Sequence, residues 1–75
     1  MPKLSDVPPD SRVRIRDLGN SPLLQRRLME MGLVPGTPVR VVRRAPLGDP
    51  IDLEVRGYHL SLRESEAGLI EVEAL

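Results

Sequence analysis

The 75-residue chain has no cysteine, tryptophan or phenylalanine, and it has one tyrosine and one histidine. Without cysteine, neither a disulfide nor a thiolate metal site can stabilise the fold. Grooves for proline-rich peptides and platforms for single-stranded nucleic acids need several aromatic side chains, and only Tyr58 is available. A lone histidine and the lack of a glycine-rich phosphate loop also argue against catalysis. We therefore expect a non-enzymatic protein that requires no cofactor.

Long apolar segments are missing as well. No run approaches the roughly 18 residues that a membrane span needs, and the first residues form no apolar signal core. Hydrophobic residues make up 40% of the sequence, enough for one small core. Two domains are excluded because domains rarely have fewer than about 50 residues. We expect a single domain over residues 1–75, cytoplasmic and without direct membrane insertion.

The charges balance overall but are unevenly distributed. Eleven Lys and Arg and eleven Asp and Glu give a formal net charge of zero. Nine bases and four acids leave residues 1–44 with a net charge of +5, and two bases and seven acids leave residues 45–75 with −5. The basic half could attract an acidic partner, or the two halves could neutralise each other within one fold. Direct nucleic-acid binding is not expected, since charge-driven binders are basic overall.

Short alternating patterns predict a mainly β fold. Strands are predicted over residues 12–16, 39–44, 51–55, 58–62 and 69–72. The first strand alternates Val13 and Ile15 with Arg12, Arg14 and Arg16, a stripe more typical of a solvated face than of a binding surface. Strands this short, joined by tight turns, usually curl into a small barrel. The order favours an SH3-like barrel of about five strands with one inserted α-helix and a short helical turn over residues 63–67.

The inserted helix is predicted over residues 22–31. Ser21 is a suitable N-cap, Pro22 fits the first helical position, and Gly32 is the expected left-handed residue after the end. Helical spacing places the side chains of Leu24, Leu28 and Met31 on one stripe toward the core. The residues expected to be mostly buried are Val13, Ile15, Leu24, Leu28, Val39, Val41, Leu53, Val55, Leu60, Leu62 and Ile70.

Two turns carry specific predictions. Pro35-Gly36 predicts a type II turn. Gly57 predicts a tight hairpin between the third and fourth strands, with a loop of either Arg56-Gly57 or Gly57-Tyr58. The first loop places His59 opposite Glu54, and the second places it opposite Arg56.

His59 lies on the polar face of the hairpin with either loop. Carboxylates that could join it as metal ligands are Glu54 and Asp52, across the hairpin. A metal site normally needs three or four converging ligands with supporting contacts, which this sequence does not specify. No metal site is predicted. His59 and Glu54 are weak candidates, able to hold an adventitious divalent metal ion.

The candidate partner-binding residues are Leu23, Arg26 and Met29 on the helix and Leu47 in the proline-flanked loop. Leu23 and Met29 project away from the core stripe, and Leu47 lies in a loop whose backbone is restrained by two prolines. Interfaces combine apolar anchors with a polar rim, and Arg and Met are enriched in them. The alternative is that these side chains only cover the ends of the barrel. A homo-oligomer is left open.

Several segments together resemble the FeoA family, small accessory proteins of bacterial ferrous iron uptake. They are residues 31–36 (MGLVPG) followed by 39–42 (VRVV), the loop 45–50 (APLGDP), and 62–63 (LR) with 71–73 (EVE). The resemblance extends from Leu4 to Val72. It implies an SH3-like barrel, a cytoplasmic location and partnership with FeoB, the membrane ferrous iron transporter with a cytoplasmic G-domain. It supplies no catalytic residues.

Two functions follow as alternatives. The first is an accessory and regulatory protein that binds the cytoplasmic part of a FeoB-type transporter. The second is a metal-responsive regulator that itself binds iron or another divalent ion, akin to the C-terminal domain of DtxR-type repressors. The chain lacks the helix-turn-helix and metal-site segments of those repressors, which disfavours a free-standing repressor.

Overall fold

The computed structural model describes residues 2–75, which form five antiparallel strands, two helices and a 3-10 turn. In chain order these are the turn Leu4–Asp6, β1 (Arg12–Asp17), α1 (Pro22–Glu30), β2 (Pro38–Arg44), β3 (Ile51–Val55), β4 (Tyr58–Leu62), α2 (Glu64–Ala67) and β5 (Glu71–Ala74). The strands make one sheet in the order β4-β3-β2-β1-β5. The molecule measures 30 × 25 × 24 Å, so the sheet is curled and not a flat layer. The mainly β architecture with one inserted helix is as predicted.

The core lies on the inner face of this curled sheet. Period-two alternation buries Ile51, Leu53 and Val55 on β3 completely, and Val13 and Ile15 on β1 almost completely. Nine of the eleven predicted core residues are buried, whereas Leu24 and Leu60 are only partly buried and pack against the cluster, as does Met31. The core also contains residues outside the prediction: Leu4, Val7, Leu18, Leu33, Ile51, Ala67 and Val72. Turns supply several of these, and turns show no periodicity.

The last strand begins two residues later than predicted. The expected strand over residues 69–72 is wrong at both ends, because β5 is Glu71–Ala74. After α2, the N–H of Leu69 donates to the Glu66 carbonyl at 3.1 Å, and the N–H of Ile70 donates to the Ala67 carbonyl at 3.2 Å. These turn bonds use the backbone donors of both residues, so ladder pairing starts only at Glu71.

Both turn predictions can be judged directly. The N–H of Thr37 donates to the Val34 carbonyl at 3.1 Å and Gly36 has φ +94°, as a type II turn requires. The hairpin uses the Arg56-Gly57 loop, with both residues at positive φ. His59 therefore faces Glu54, the first of the two registers considered above.

The basic and acidic halves of the sequence pair within the fold. Five ion pairs join a base from residues 1–44 to an acid from residues 45–75: Lys3–Glu71, Arg16–Glu73, Arg27–Glu66, Arg40–Glu54 and Arg43–Asp52. Antiparallel pairing of β1 with β5 and of β2 with β3 brings the opposite charges onto neighbouring strands. This favours internal neutralisation over an uncompensated basic surface.

Candidate partner-binding surface

The beginning of α1 is fixed by local capping. The Ser21 side-chain oxygen accepts from the Leu24 N–H at 3.3 Å, and Pro22 occupies the first turn. The Gln25 side-chain amide donates to the Gly19 carbonyl, which ties the helix to the preceding loop. The capping predicted from the sequence is confirmed.

The end of α1 is locked by a hydrogen-bonded cap and by an aromatic side chain. The N–H of Leu33 donates to the Leu28 carbonyl at 2.9 Å, and the N–H of Gly32 donates to the Met29 carbonyl at 3.0 Å, which together form a Schellman motif. Gly32 has φ +89°, and a Cβ there would lie 2.7 Å from the Tyr58 hydroxyl. That hydroxyl donates to the Met31 carbonyl. The helix therefore has a defined position against β4.

An apolar groove of about 540 Å³ runs along the exposed side of α1. Its lining residues are Ser21, Leu23, Leu24, Arg26, Arg27, Glu30 and Glu66. Leu23 is 81% exposed, and Leu24 is half-buried between the groove and the core. Solvated apolar side chains beside charged ones resemble the core and rim of a protein interface.

The far wall of the groove comes from α2. Arg27 Nη2 lies 2.6 Å from Glu66 Oε2, and the Glu66 side chain is only 13% exposed. Arg26 and Glu30 stand on the α1 side and form no ion pair among the residues that the structure describes. Sequence reasoning missed the participation of Glu66 and Arg27, since nothing local connects residues so far apart in the chain.

Met29 belongs to a different depression. It is 53% exposed and lines a hollow with Arg16, Asp17, Leu18, Gln25 and Pro35, at the end of β1. On the helix, Leu23 and Met29 lie on either side of Arg26. The structure thus joins Leu23 and Arg26 in one groove and places Met29 around the helix from them.

Leu47 is the most exposed of the three apolar residues predicted to contact a partner, at 95%. Its loop is held to the start of α2, since the N–H of Glu64 donates to Asp49 Oδ1 at 3.0 Å. Leu47 itself lines neither hollow of α1. Leu47 is therefore a separate apolar point on the surface. Its loop contacts α2, the helix that contributes Glu66 to the groove.

The His59–Glu54 pair offers two ligands to a metal ion. His59 Nε2 lies 3.5 Å from Glu54 Oε2, and Glu54 Oε1 accepts from Arg40 Nε at 3.0 Å. That hydrogen bond, together with the charge of Arg40, lowers the pKa of Glu54. Among residues 2–75 there is no group of three or more His, Cys, Asp or Glu that could hold a metal ion. Two ligands fall short of the three or four that a protein metal site normally has.

Asp52 is engaged in a similar way. The Ser61 hydroxyl donates to Asp52 Oδ1 at 2.7 Å, and Arg43 Nε donates to Oδ2 at 3.1 Å. The hydrogen bond from Ser61, followed by that from Arg43, lowers the pKa of Asp52. The carboxylates facing β4 are thus held by hydrogen bonds within the sheet.

Comparison with known proteins identifies the family. The model of the FeoA domain matches residues 3–74. The chain belongs to the FeoA family. FeoA domains are small accessory SH3-like domains and not known enzymes. No helix among residues 2–75 is both long and apolar enough to cross a membrane.

Three relatives are similar to this FeoA domain in sequence or in structure. It is 39% identical over 66 residues to an Fe(2+) transport protein A/Fe(2+) transporter FeoB fusion protein of Porphyromonas gingivalis, covering 88% of this chain but 8% of the fusion protein. It matches the solution structure of the FeoA protein from Chlorobium tepidum with TM-score 0.92 and 40% identity, covering 99% of this chain and 70% of that one.

The third relative is the Stenotrophomonas maltophilia FeoA complexed with zinc, described as an SH3 domain protein. The TM-score is 0.82 and the identity 31%, over 97% of this chain and 91% of that one. The predicted SH3-like fold is therefore confirmed.

Proposed function

We propose that this FeoA domain is a cytoplasmic accessory and regulatory protein of ferrous iron uptake, which acts by binding the cytoplasmic part of a FeoB-type transporter. The observation that carries the proposal is the Porphyromonas gingivalis fusion, in which a FeoA sequence and a FeoB transporter are one chain. Covalent linkage holds two modules at high effective concentration, which is useful when they must bind each other.

The groove along α1 is the proposed contact. It presents Leu23 with little shielding, and Arg26 supplies a charge on its rim that no residue of the described chain neutralises. Met29 and Leu47 are two further exposed apolar side chains, which lie outside the groove. Apolar anchors that are exposed in the free protein gain most when a partner removes them from water.

The test is a binding titration of the transporter's cytoplasmic domain with single variants of this chain. Leu23→Asp, Met29→Asp and Leu47→Asp should each weaken binding by about tenfold or more, because each places a charge in an apolar contact. Leu75→Asp is the matched control: Leu75 is 55% exposed near the end of β5 and should bind like wild type. Circular-dichroism melts should show that all four variants stay folded.

Unchanged affinity in all three interface variants would contradict the proposed contact. In that case the Arg12-Arg14-Arg16 stripe becomes the next surface to test. No binding by the wild-type chain would contradict the partnership itself.

The zinc complex of the Stenotrophomonas relative favours a second candidate, a domain that senses metal directly. In this chain the pair available for such binding is His59 and Glu54. Calorimetry with ferrous iron separates the two functions. The accessory function predicts no tight stoichiometric binding and an unchanged fold in His59→Ala, whereas tight binding that His59→Ala abolishes would favour the sensor.

A further inference from the structure

Three arginines converge on one small hollow at the outer face of the sheet. The hollow has a volume of about 190 Å³, and it is lined by Arg12 at the start of β1, Arg40 on β2 and Arg56 in the turn between β3 and β4. Pro38 and Val39 line it as well. The convergence is a property of the fold, since Arg12 and Arg56 are far apart in the sequence.

Strand pairing places like charges opposite each other beside this hollow. Arg12 and Arg40 are Cα partners in the antiparallel pairing of β1 with β2, so their side chains leave the sheet on the same face. Like charges directly opposite each other destabilise such a pair of strands. Arg40 is compensated by the next strand, because its Nε donates to Glu54 Oε1 at 3.0 Å. Arg12 forms no ion pair among residues 2–75.

Arg56 reaches the hollow from a turn that does not favour arginine. Both residues of this two-residue loop have positive φ, +50° at Arg56 and +87° at Gly57. Asn, Asp and Gly are the usual residues at the first of these positions, because other side chains crowd the backbone in the left-handed region. Arg56 also forms no ion pair within the described chain. Neither the turn nor a neighbouring acid therefore accounts for an arginine at this position.

The charge balance of the hollow favours a doubly charged anion. Glu54 is the one acid among its lining residues, and its carboxylate is bonded to Arg40. That pair is neutral, so Arg12 and Arg56 leave an excess of two positive charges. Asp10 lies 3.4 Å from Arg40 Nη1, but it does not line the hollow and its side chain is 85% exposed. The hollow is a local exception to the pairing of charges elsewhere in the fold.

We propose that this hollow is a binding site for a phosphate group, held by Arg12 and Arg56 with Arg40 beside them. A guanidinium group presents its N–H donors in a planar fork that matches the oxygens of phosphate. A phosphate monoester carries a charge of about −1.5 to −2 at neutral pH and has three strong acceptor oxygens, so it can bind arginines on different walls at once. A carboxylate has one charge and two oxygens, and would leave one arginine uncompensated.

This site is separate from the proposed transporter contact, because none of its residues belongs to α1 or to the loop that carries Leu47. Bound phosphate should stabilise the folded state, where it offsets the repulsion between Arg12 and Arg40. At constant ionic strength, the melting temperature should rise with phosphate or pyrophosphate concentration and should not respond to acetate. In ¹⁵N spectra, the same titrations should shift the amide signals of Arg12, Arg56 and Gly57 more than those of α1.

Two variants test the arginines without disturbing the fold. Arg56→Asn introduces a residue that suits the positive φ, so it should melt no lower than wild type while it binds phosphate at least about tenfold more weakly. Arg12→Gln should weaken binding to a similar degree, and it should stay folded because Arg12 is exposed. Arg26→Gln is the matched control: Arg26 also forms no ion pair among residues 2–75, but it lies on α1 and its loss should leave phosphate binding unchanged.

Vesicles of phosphatidic acid in phosphatidylcholine distinguish two sources of the phosphate group. Co-sedimentation with these vesicles that Arg56→Asn reduces would identify a lipid headgroup, and pyrophosphate binding without co-sedimentation would identify a soluble phosphate compound. The proposal would be overturned by the absence of amide shifts with phosphate and pyrophosphate, or by a phosphate affinity that stays unchanged in both Arg12→Gln and Arg56→Asn. Equal shifts with acetate would overturn the choice of phosphate as the ligand.

Discussion

Replacing Leu28 with alanine removes the only side chain of α1 that is completely buried. The change deletes three carbon atoms, worth about 2.4 kcal/mol of transfer free energy at roughly 0.8 kcal/mol each. The cavity left by the missing atoms adds to this loss. Leu24 and Met31, which are partly buried nearby, cannot move in to fill it because both ends of the helix are held by caps. We expect a total loss of about 3–4 kcal/mol.

That loss is large for a domain of 75 residues, whose total stability should be roughly 4–11 kcal/mol. The melting temperature should fall by at least about 12 °C. Thermal melts followed by circular dichroism measure it, with Leu47→Ala as the control, because Leu47 is 95% exposed and its truncation removes almost no buried area. A Leu28→Ala variant that melts with wild type would refute the docking of α1 against the sheet, and with it the position of the groove.

Two further predictions concern backbone geometry and pH. Gly32→Ala should destabilise the protein more than Gly36→Ala: both glycines have φ near +90°, but a Cβ at Gly32 would displace the Tyr58 hydroxyl, whereas nothing lies within 4 Å at Gly36. Equal melting temperatures for the two variants would argue against the Tyr58 contact. Arg40 lowers the pKa of Glu54. The ion pair therefore stabilises the folded state at pH values above 4.5, the ordinary pKa of this carboxyl group, and the stabilisation is lost as the pH falls through the lowered pKa. Urea denaturation should therefore show a lower free energy of unfolding for Glu54→Gln than for wild type at neutral pH, and equal values in strong acid. A difference in free energy of unfolding that stays constant across the acid range would show that the ion pair is not responsible.

The distribution of charge along the sequence allows two interpretations, and the fold distinguishes between them. Residues 1–44 and 45–75 carry opposite net charges, which suits an acidic partner as well as it suits internal pairing. The antiparallel pairing of strands from the two halves favours internal pairing, because it places Arg40 beside Glu54 and Arg43 beside Asp52. Such pairs at the surface add little to stability, but they engage five of the nine bases of residues 1–44.

The sequence by itself determined the elements whose signals are local. Ser21, Pro22 and Gly32 delimit α1 because capping and left-handed geometry involve only a few neighbouring residues. Alternation likewise identified the strands through β4 and which of their faces is buried, since side-chain direction follows directly from the pleat.

Tertiary structure alone decided what lies between distant segments. It placed Glu66 across a groove from α1, and it separated Met29 and Leu47 from Leu23. The turn after α2 also made β5 begin two residues later than the sequence pattern predicts. It also made β4 an end strand of the sheet and placed residues 2–4 alongside β5 at the other end. Each of these features depends on contacts between residues far apart in the chain, and no short-range pattern records such contacts.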